Sequence, residues 1–395
     1  MTADTNPSER TEATLVDRAR SVLPGGITRS TVFVPPHPPY AVAGEGAWIV
    51  DDTGHRVLDA NGNYTTLIHG HARPEIVHAA TAALQNGSAF GLPTRSEVAL
   101  AEMLRERTNM EQWRFCNSGS EAVMMLLRAA RAATKRSKII RFRGSYHGTS
   151  PDAVGNESHG DVIVVDQGDT EAVANALTTH GDDVAGVVID LMPNRAGLRR
   201  ADAAHVQELR SLTREHGALL LVDEVITFRL GVGGLLEQYD VEADLVSLGK
   251  AIGGGFAVGA IGGRRELLQP FDPREQKQPS AVSWGGTFSA NPVTMAAGKV
   301  ALDLFDATSV ASLNAAGDAL RARLVAAGVP ATGWGSLLRL HTSDNQQAWW
   351  SLYERGVLAG TNCLLALSTA MGEEDVEHLA DAILAMADEH PQYFQ

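Results

Sequence analysis

Short apolar strands alternate with amphipathic helices between residues 113 and 261, which predicts an α/β fold. The expected architecture is a large domain with a mostly parallel sheet between helices, followed by a smaller α+β C-terminal domain. Two further observations support it. At 395 residues the chain exceeds the ~250–300 at which a single core stops growing. After Asn291 the pattern changes to long helices with two short strands between them, a tail of roughly 90 residues that suits a small domain.

In chain order, Trp48 to Asp59 reads as two short strands around the Asp52-Thr53-Gly54 turn. Helices are expected over 74–86, opened by Pro74 and closed by Gly87, and over 96–107. The strand 113–116 precedes a helix over 121–134. Strands at 138–142, 162–165 and 184–190 follow, then a helix over 202–216 and a strand at 218–222 too apolar for a solvated face. Strands at 244–247 and 257–261 end the series, and a helix over 292–305 leads out of it. In the tail, helices are expected near 310–327, 346–355 and 375–388, with strands near 337–340 and 364–367.

A net charge of −14 argues against a nucleic-acid partner, since phosphate binding rests on clustered Lys and Arg. The polar opening, Met1 to Glu12, has no apolar core for an export signal, and no apolar run approaches the ~18 residues of a membrane span. Cys116 and Cys363, the only cysteines, are far apart and read as reduced thiols. The expectation is a cytoplasmic protein that engages neither membrane nor nucleic acid.

In parallel sheets ligands sit beyond the carboxyl ends of strands, so reactive groups are sought where strands stop. Asn117-Ser118-Gly119-Ser120 joins a strand to a helix, where unpaired backbone N–H groups and close approach at Gly119 suit a phosphate; a plain N-cap is the bland alternative. Asp223 ends an apolar strand, where a carboxylate is costly unless a cation pairs with it; alone, it could meet solvent or an Arg. Lys250 follows a strand and precedes Gly253-Gly254-Gly255. A partly desolvated Lys has a lowered pKa and attacks aldehydes, although most lysines are simply exposed. Tyr146, beside His147 and Gly148, could stack on a flat ring or fill the core.

Taken in order, these segments resemble the class III aminotransferases, enzymes of fold-type I that use pyridoxal phosphate (PLP). The resemblance rests on Asn117–Ala122, Tyr146-His147-Gly148, Asp223-Glu224-Val225, Leu248–Gly255 and Gly286-Thr287-Phe288, and runs from about Pro24 to the C-terminus. It implies that Lys250 holds PLP as a Schiff base (an aldimine) and shuttles a proton, and that Asp223 keeps the pyridine nitrogen protonated. It implies that Tyr146 and Val225 sandwich the ring, with His147 beside them. Ser118, Gly119 and Ser120 would hold the phosphate, joined by Thr287 from a second subunit of a homodimer. On this resemblance residues 1–45 form a segment packing with the small domain and active site, 46–300 the large domain and 301–395 the small one.

The run Leu23 to Ser30 looks like the corresponding segment of β-amino-acid aminotransferases and, less closely, glutamate-1-semialdehyde aminomutases. There an Arg binds the substrate carboxylate, which makes Arg29 the candidate, against a surface Arg near a mobile terminus. The implied activity moves an amino group between a β-amino or other non-α acid donor and a keto acid acceptor. An intramolecular aminomutase is the alternative, and a non-catalytic PLP sensor a remoter one.

Three departures stand out. Thr361-Asn362-Cys363 occupies the place where such β-amino-acid enzymes carry a second Arg; Asp190-Leu191 replaces a family Glu-Pro; and Gly155 to Asp161 is short. Arg195, in the unusual Pro193-Asn194-Arg195, reads as a solvated loop Arg or, alternatively, a carboxylate clamp. Ser247-x-x-Lys250 and Ser343-Asp344-Asn345 match penicillin-recognising motifs, but no Lys-Thr-Gly accompanies them. A phosphate-binding P-loop fails at Asp244, a dinucleotide fingerprint fails at Leu236, and His69-Gly70-His71 has no third ligand nearby for a metal.

Overall fold

The computed structural model describes residues 14–275, 277 and 281–394; the opening Met1 to Glu12 lies outside the described residues. Its centre is a seven-stranded sheet in the order Gln112–Cys116, Gly259–Gly263, Leu245–Gly249, Leu219–Asp223, Val184–Ile189, Lys138–Phe142, Val162–Val165. Only Gly259–Gly263 runs against its neighbours. The α/β expectation with a mostly parallel sheet therefore holds.

Burial explains the strand sequences. Val184–Ile189 and Leu219–Asp223 are buried along their whole length, so both faces must be apolar. One face packs on the helix Gly119–Thr134 through Ala122, Leu126 and Ala129, against Ile139, Leu221 and Ile261. The other packs on Ala203–Glu215 through Val206 and Leu209, against Val187 and Leu220. Each such Leu or Val contributes about 1.5–3 kcal/mol relative to exposure. Helix starts carry the expected side-chain caps, Ser118 accepting from the Glu121 N–H and Asp202 from those of Ala204 and His205.

The second core collects Val57, Leu58 and Ile68 with Leu313, Leu324, Leu352, Leu379 and Ile383. A four-stranded sheet explains the mixture: Ala41–Glu45, Trp48–Asp51 and Arg56–Asp59 form a meander, and Val357–Leu358 adds in parallel to Arg56–Asp59. The expected boundary at residue 46 cuts the first hairpin of this sheet. The long-range pairing of 357–358 with 58–59 joins the chain's two ends, and local patterning carries no trace of it. The helix Thr170–His180 has no counterpart among the expected elements; it buries only Val173 and Leu177, too little apolar signal to stand out.

Every parallel strand delivers its last residues to one edge of the sheet. Asp223, Asp190, Lys250 and the loop after Phe142 come together there.

Candidate active site

A cavity of about 520 Å³ opens at that edge, within the size range of small-molecule sites. Ser118, Gly119, Ser120, Tyr146, His147, Asp223, Val225, Lys250 and Arg29 all line it. Thr287 does not, and it is exposed on the same chain. A larger hollow of about 1250 Å³, lined by Arg114, Trp284 and Ser289 among others, contains none of the expected site residues.

Lys250 begins a short 3-10 turn, Lys250–Gly253, directly after the strand Leu245–Gly249. Its φ of 48° is left-handed, a conformation costing a non-glycine residue about 1–2 kcal/mol. Such strain concentrates where a side chain must be aimed. The amine has no hydrogen bond or ion pair among the described residues, and its remaining accessible surface faces the cavity. Burial pushes its pKa down to about 8; the carboxylates of Asp223 and Asp190 oppose that shift and the Arg29 charge adds to it. An amine half neutral near pH 8 is a competent nucleophile and proton carrier.

Asp223 is the last residue of Leu219–Asp223 and is buried, with three donors holding it: His147 Nδ1 at 2.8 Å, Ser247 Oγ at 2.9 Å and the Val225 N–H at 3.1 Å. Because the carboxylate accepts, His147 Nδ1 carries the proton, and His147 Nε2 stays buried without a partner. An ionised carboxylate offers about four lone-pair sites, so one remains for a donor in the cavity. Neither the solvent nor the lone-Arg alternative describes this residue. Glu224, its neighbour in sequence, points away; it is buried, its pKa is raised by burial to about 8, and it accepts from the Leu236 N–H. The pair does two jobs because alternate strand residues face opposite sides.

The turn before Gly119–Thr134 is both an N-cap and an open cradle. Ser118 Oγ accepts from the Glu121 N–H, while Glu121 accepts from the Asn117 N–H, leaving the Gly119 and Ser120 amides free of intrahelical partners. A Cβ on Gly119 would meet Val225 Cγ1 at 2.6 Å, and one on Gly148, whose φ is +95°, would meet Ser120 Oγ at 2.6 Å. Glycine at these two positions therefore lets the Val225 and Ser120 side chains pack directly on bare backbone.

Asp190, which the sequence marked only as a departure, is a cavity wall residue. It is buried, accepts from the Met192 N–H at 2.9 Å, and its pKa is raised to about 7 by burial and the nearby Asp223 charge. The signal that could have found it was its place at a strand end in the same sheet as Asp223. The 3-10 turn Asn194–Ala196 follows, and Arg195 Cζ lies 4.1 Å from the centroid of the Tyr146 ring. The loop Arg is thus exposed yet stacked on a cavity residue. No cluster of potential metal ligands occurs among the described residues, and His69 is occupied by Thr369 and the Ala301 carbonyl. Ser247 lies within a strand, which removes the penicillin-type reading.

The residues fit PLP: a free amine for its aldehyde, a carboxylate with capacity left for its ring nitrogen, and helix-start amides for its phosphate. The aminotransferase class-III family profile matches residues 34–333. The chain belongs to the class III aminotransferases. Like its family it is a PLP-dependent enzyme of fold-type I that moves amino groups.

Among proteins similar to this aminotransferase, a glutamate-1-semialdehyde 2,1-aminomutase of Methanothermobacter thermautotrophicus is 38% identical over 328 residues, covering 78% of this chain and 77% of that one. A solved omega-transaminase from Sphaerobacter thermophilus is 40% identical with a TM-score of 0.90, covering 95% and 97% of the two chains. A β-phenylalanine aminotransferase from Variovorax paradoxus is 32% identical with a TM-score of 0.90, covering 95% and 93%.

Proposed function

We propose that this aminotransferase takes the amino group from a β-amino or other non-α amino acid and passes it to a keto acid. The observation that carries the reading is Arg29. It is an exposed guanidinium with no carboxylate partner among the described residues, on the wall of the cavity that holds Lys250. Its Nη1 donates to Asn63 Oδ1 at 2.6 Å, and it lies near the Tyr64 ring. Asn63, Tyr64 and Thr65 all have positive φ, so strained backbone presents this support. A planar guanidinium held this way suits a carboxylate, and the resemblance to a β-phenylalanine aminotransferase supports a donor of that class.

Bound in the cavity, PLP supplies an aldehyde that condenses with amines and a ring that accepts the electron pair left when a neighbouring C–H bond breaks. The chain's residues do the rest. Lys250, neutral above about pH 8, would take a proton at Nζ from the substrate carbon and hand it to the cofactor, and the reverse with the acceptor. Asp223 holds a proton at the far end of the site, and His147 and Ser247 fix its carboxylate. Gly119 and Ser120 anchor the anionic end, Tyr146 and Val225 flank the ring, and Arg29 orients the donor. A second copy would bring its Thr287 to the phosphate, since Thr287 stands outside its own chain's cavity; this makes the proposed unit a homodimer, in the cytoplasm. No helix among the described residues is long and apolar enough to cross a membrane.

A panel of amino donors, scored by loss of the lysine-bound cofactor's absorbance, tests the donor class. Arg29→Ala should raise KM for carboxylate donors about 10–100-fold, with little effect on a simple aryl amine. Equal effects on both would remove Arg29 from donor recognition. The named aminomutase relative favours a second reading, in which one substrate is isomerised without any keto acid; turnover of a single amino aldehyde would reveal it.

A further inference from the structure

Two carboxylates end neighbouring strands of the main sheet, and the proposed chemistry uses only one of them. Val184–Ile189 and Leu219–Asp223 run parallel, with Val188 opposite Leu221 and Ile189 opposite Val222. Continued by one residue, that register sets Asp190 opposite Asp223. Side chains alternate along a strand, so both acids lie on the face where Val188 and Leu221 meet the helix Gly119–Thr134. Both are buried, and both line the cavity that holds Lys250. Asp is one methylene shorter than the Glu that the family resemblance implies at position 190, so its carboxyl stays in the row of strand ends.

Hydrogen bonding separates the two. Asp223 accepts from His147 Nδ1, Ser247 Oγ and the Val225 N–H. Asp190 accepts from the Met192 N–H at 2.9 Å and, among the described residues, from nothing else. Donors favour the ionised form of a carboxyl, and one anion in a buried site disfavours a second beside it. Asp223 is therefore the anion of the pair and Asp190 the acid. Burial, then the Asp223 charge, raises the Asp190 pKa to about 7, while the Met192 N–H, His147 and Lys250 oppose the shift.

We propose that Asp190 stores a proton in the cofactor-free site and gives it up, by way of Asp223, to the ring nitrogen of PLP. The O–H bond at Asp190 breaks and an N–H bond forms at the ring, with no further reactant. The carboxyl pair goes from one negative charge to two, and the cation created beside Asp223 offsets the second. Asp190 thus acts through Asp223 and touches no substrate. The inference rests on Asp223 serving the ring nitrogen and is independent of the donor class.

The test counts protons. PLP is loaded onto cofactor-stripped protein in a calorimeter, in buffers of different ionisation enthalpy, which gives the number exchanged with solvent. At about pH 6 the store is full, and Asp190→Asn should take up about one proton more than the unaltered enzyme. At about pH 9 the store is empty, and the two counts should agree. A purely structural role for Asp190 would change affinity without producing this pH-dependent difference. An infrared difference spectrum of the unaltered enzyme at the lower pH needs no variant: loading should remove a protonated-carboxyl band. Equal counts at the lower pH, a difference that persists at the higher one, or an unchanged carboxyl band would overturn the proposal. Asp223→Asn distinguishes the two readings. If it alters the count and Asp190→Asn does not, the role of Asp223 stands without a store; if neither alters it, both fall.

Discussion

The strand Leu245–Gly249 has a charged residue at each end, and the two ends could hardly differ more. Asp244, just before it, is buried; Arg210 and Arg264 both donate to its carboxylate, as does the Leu220 N–H at 2.8 Å. Lys250, just after it, has no partner at all among the described residues and sits in a left-handed backbone conformation. A saturated buried charge ties elements together and has nothing left to offer a ligand. An unsaturated one is a standing cost, offset only when something binds. The comparison teaches that pairing, more than burial, separates scaffold from site.

Lys250→Ala should break the reactive end outright. Turnover is expected to fall about 10⁴-fold or more, with thermal stability unchanged or raised, because an unpaired buried amine is removed. A steady-state assay beside a melting curve checks both. Asp223→Asn comes next: it keeps the shape of the site but turns one accepting oxygen into a donating amide and removes the charge that favours a protonated ring, for a loss of about 10²–10³-fold in kcat with the fold intact. A loss under tenfold would place the ring nitrogen elsewhere. Asp244→Asn should do the reverse. It strands two guanidiniums, one of them half-exposed, and should cost about 2–4 kcal/mol in urea unfolding while leaving kcat within about twofold.

The smallest effect sharpens the contrast through pH. A lysine whose pKa is lowered on folding, here from 10.5 to about 8, carries a stability penalty fully present below about pH 8 and relieved as pH rises toward 10.5. In cofactor-stripped protein the rate of loading with PLP should therefore rise through about pH 8 and level off, followed by absorbance. A rise that continued toward pH 10 would mean that the amine is solvated.

Local patterning made most of the main sheet legible. Lys138–Phe142 and Val162–Val165 fall where apolar runs place them, and the helix starts at Ser118 and Asp202 follow from their capping side chains. The order of Gly119, Tyr146, Asp223 and Lys250 carried the family resemblance that implied the cofactor, and all four lie at or just beyond a strand's end or at a helix start. Illegible were features that depend on residues far apart in sequence. Val357 pairs with Leu58, and Asn362 holds Asn194.

The chain's sequence by itself thus determined the strand ends and the residue types standing there, since periodicity and capping act over a few residues. Only the tertiary structure decided which charges would be paired. Asp190 gains its raised pKa because Asp223 and the surrounding core are brought beside it, and Arg195 gains a platform because the 144–146 loop packs against its turn. Electrostatic character belongs to the neighbours a fold assembles, and those neighbours are set by packing across the whole molecule.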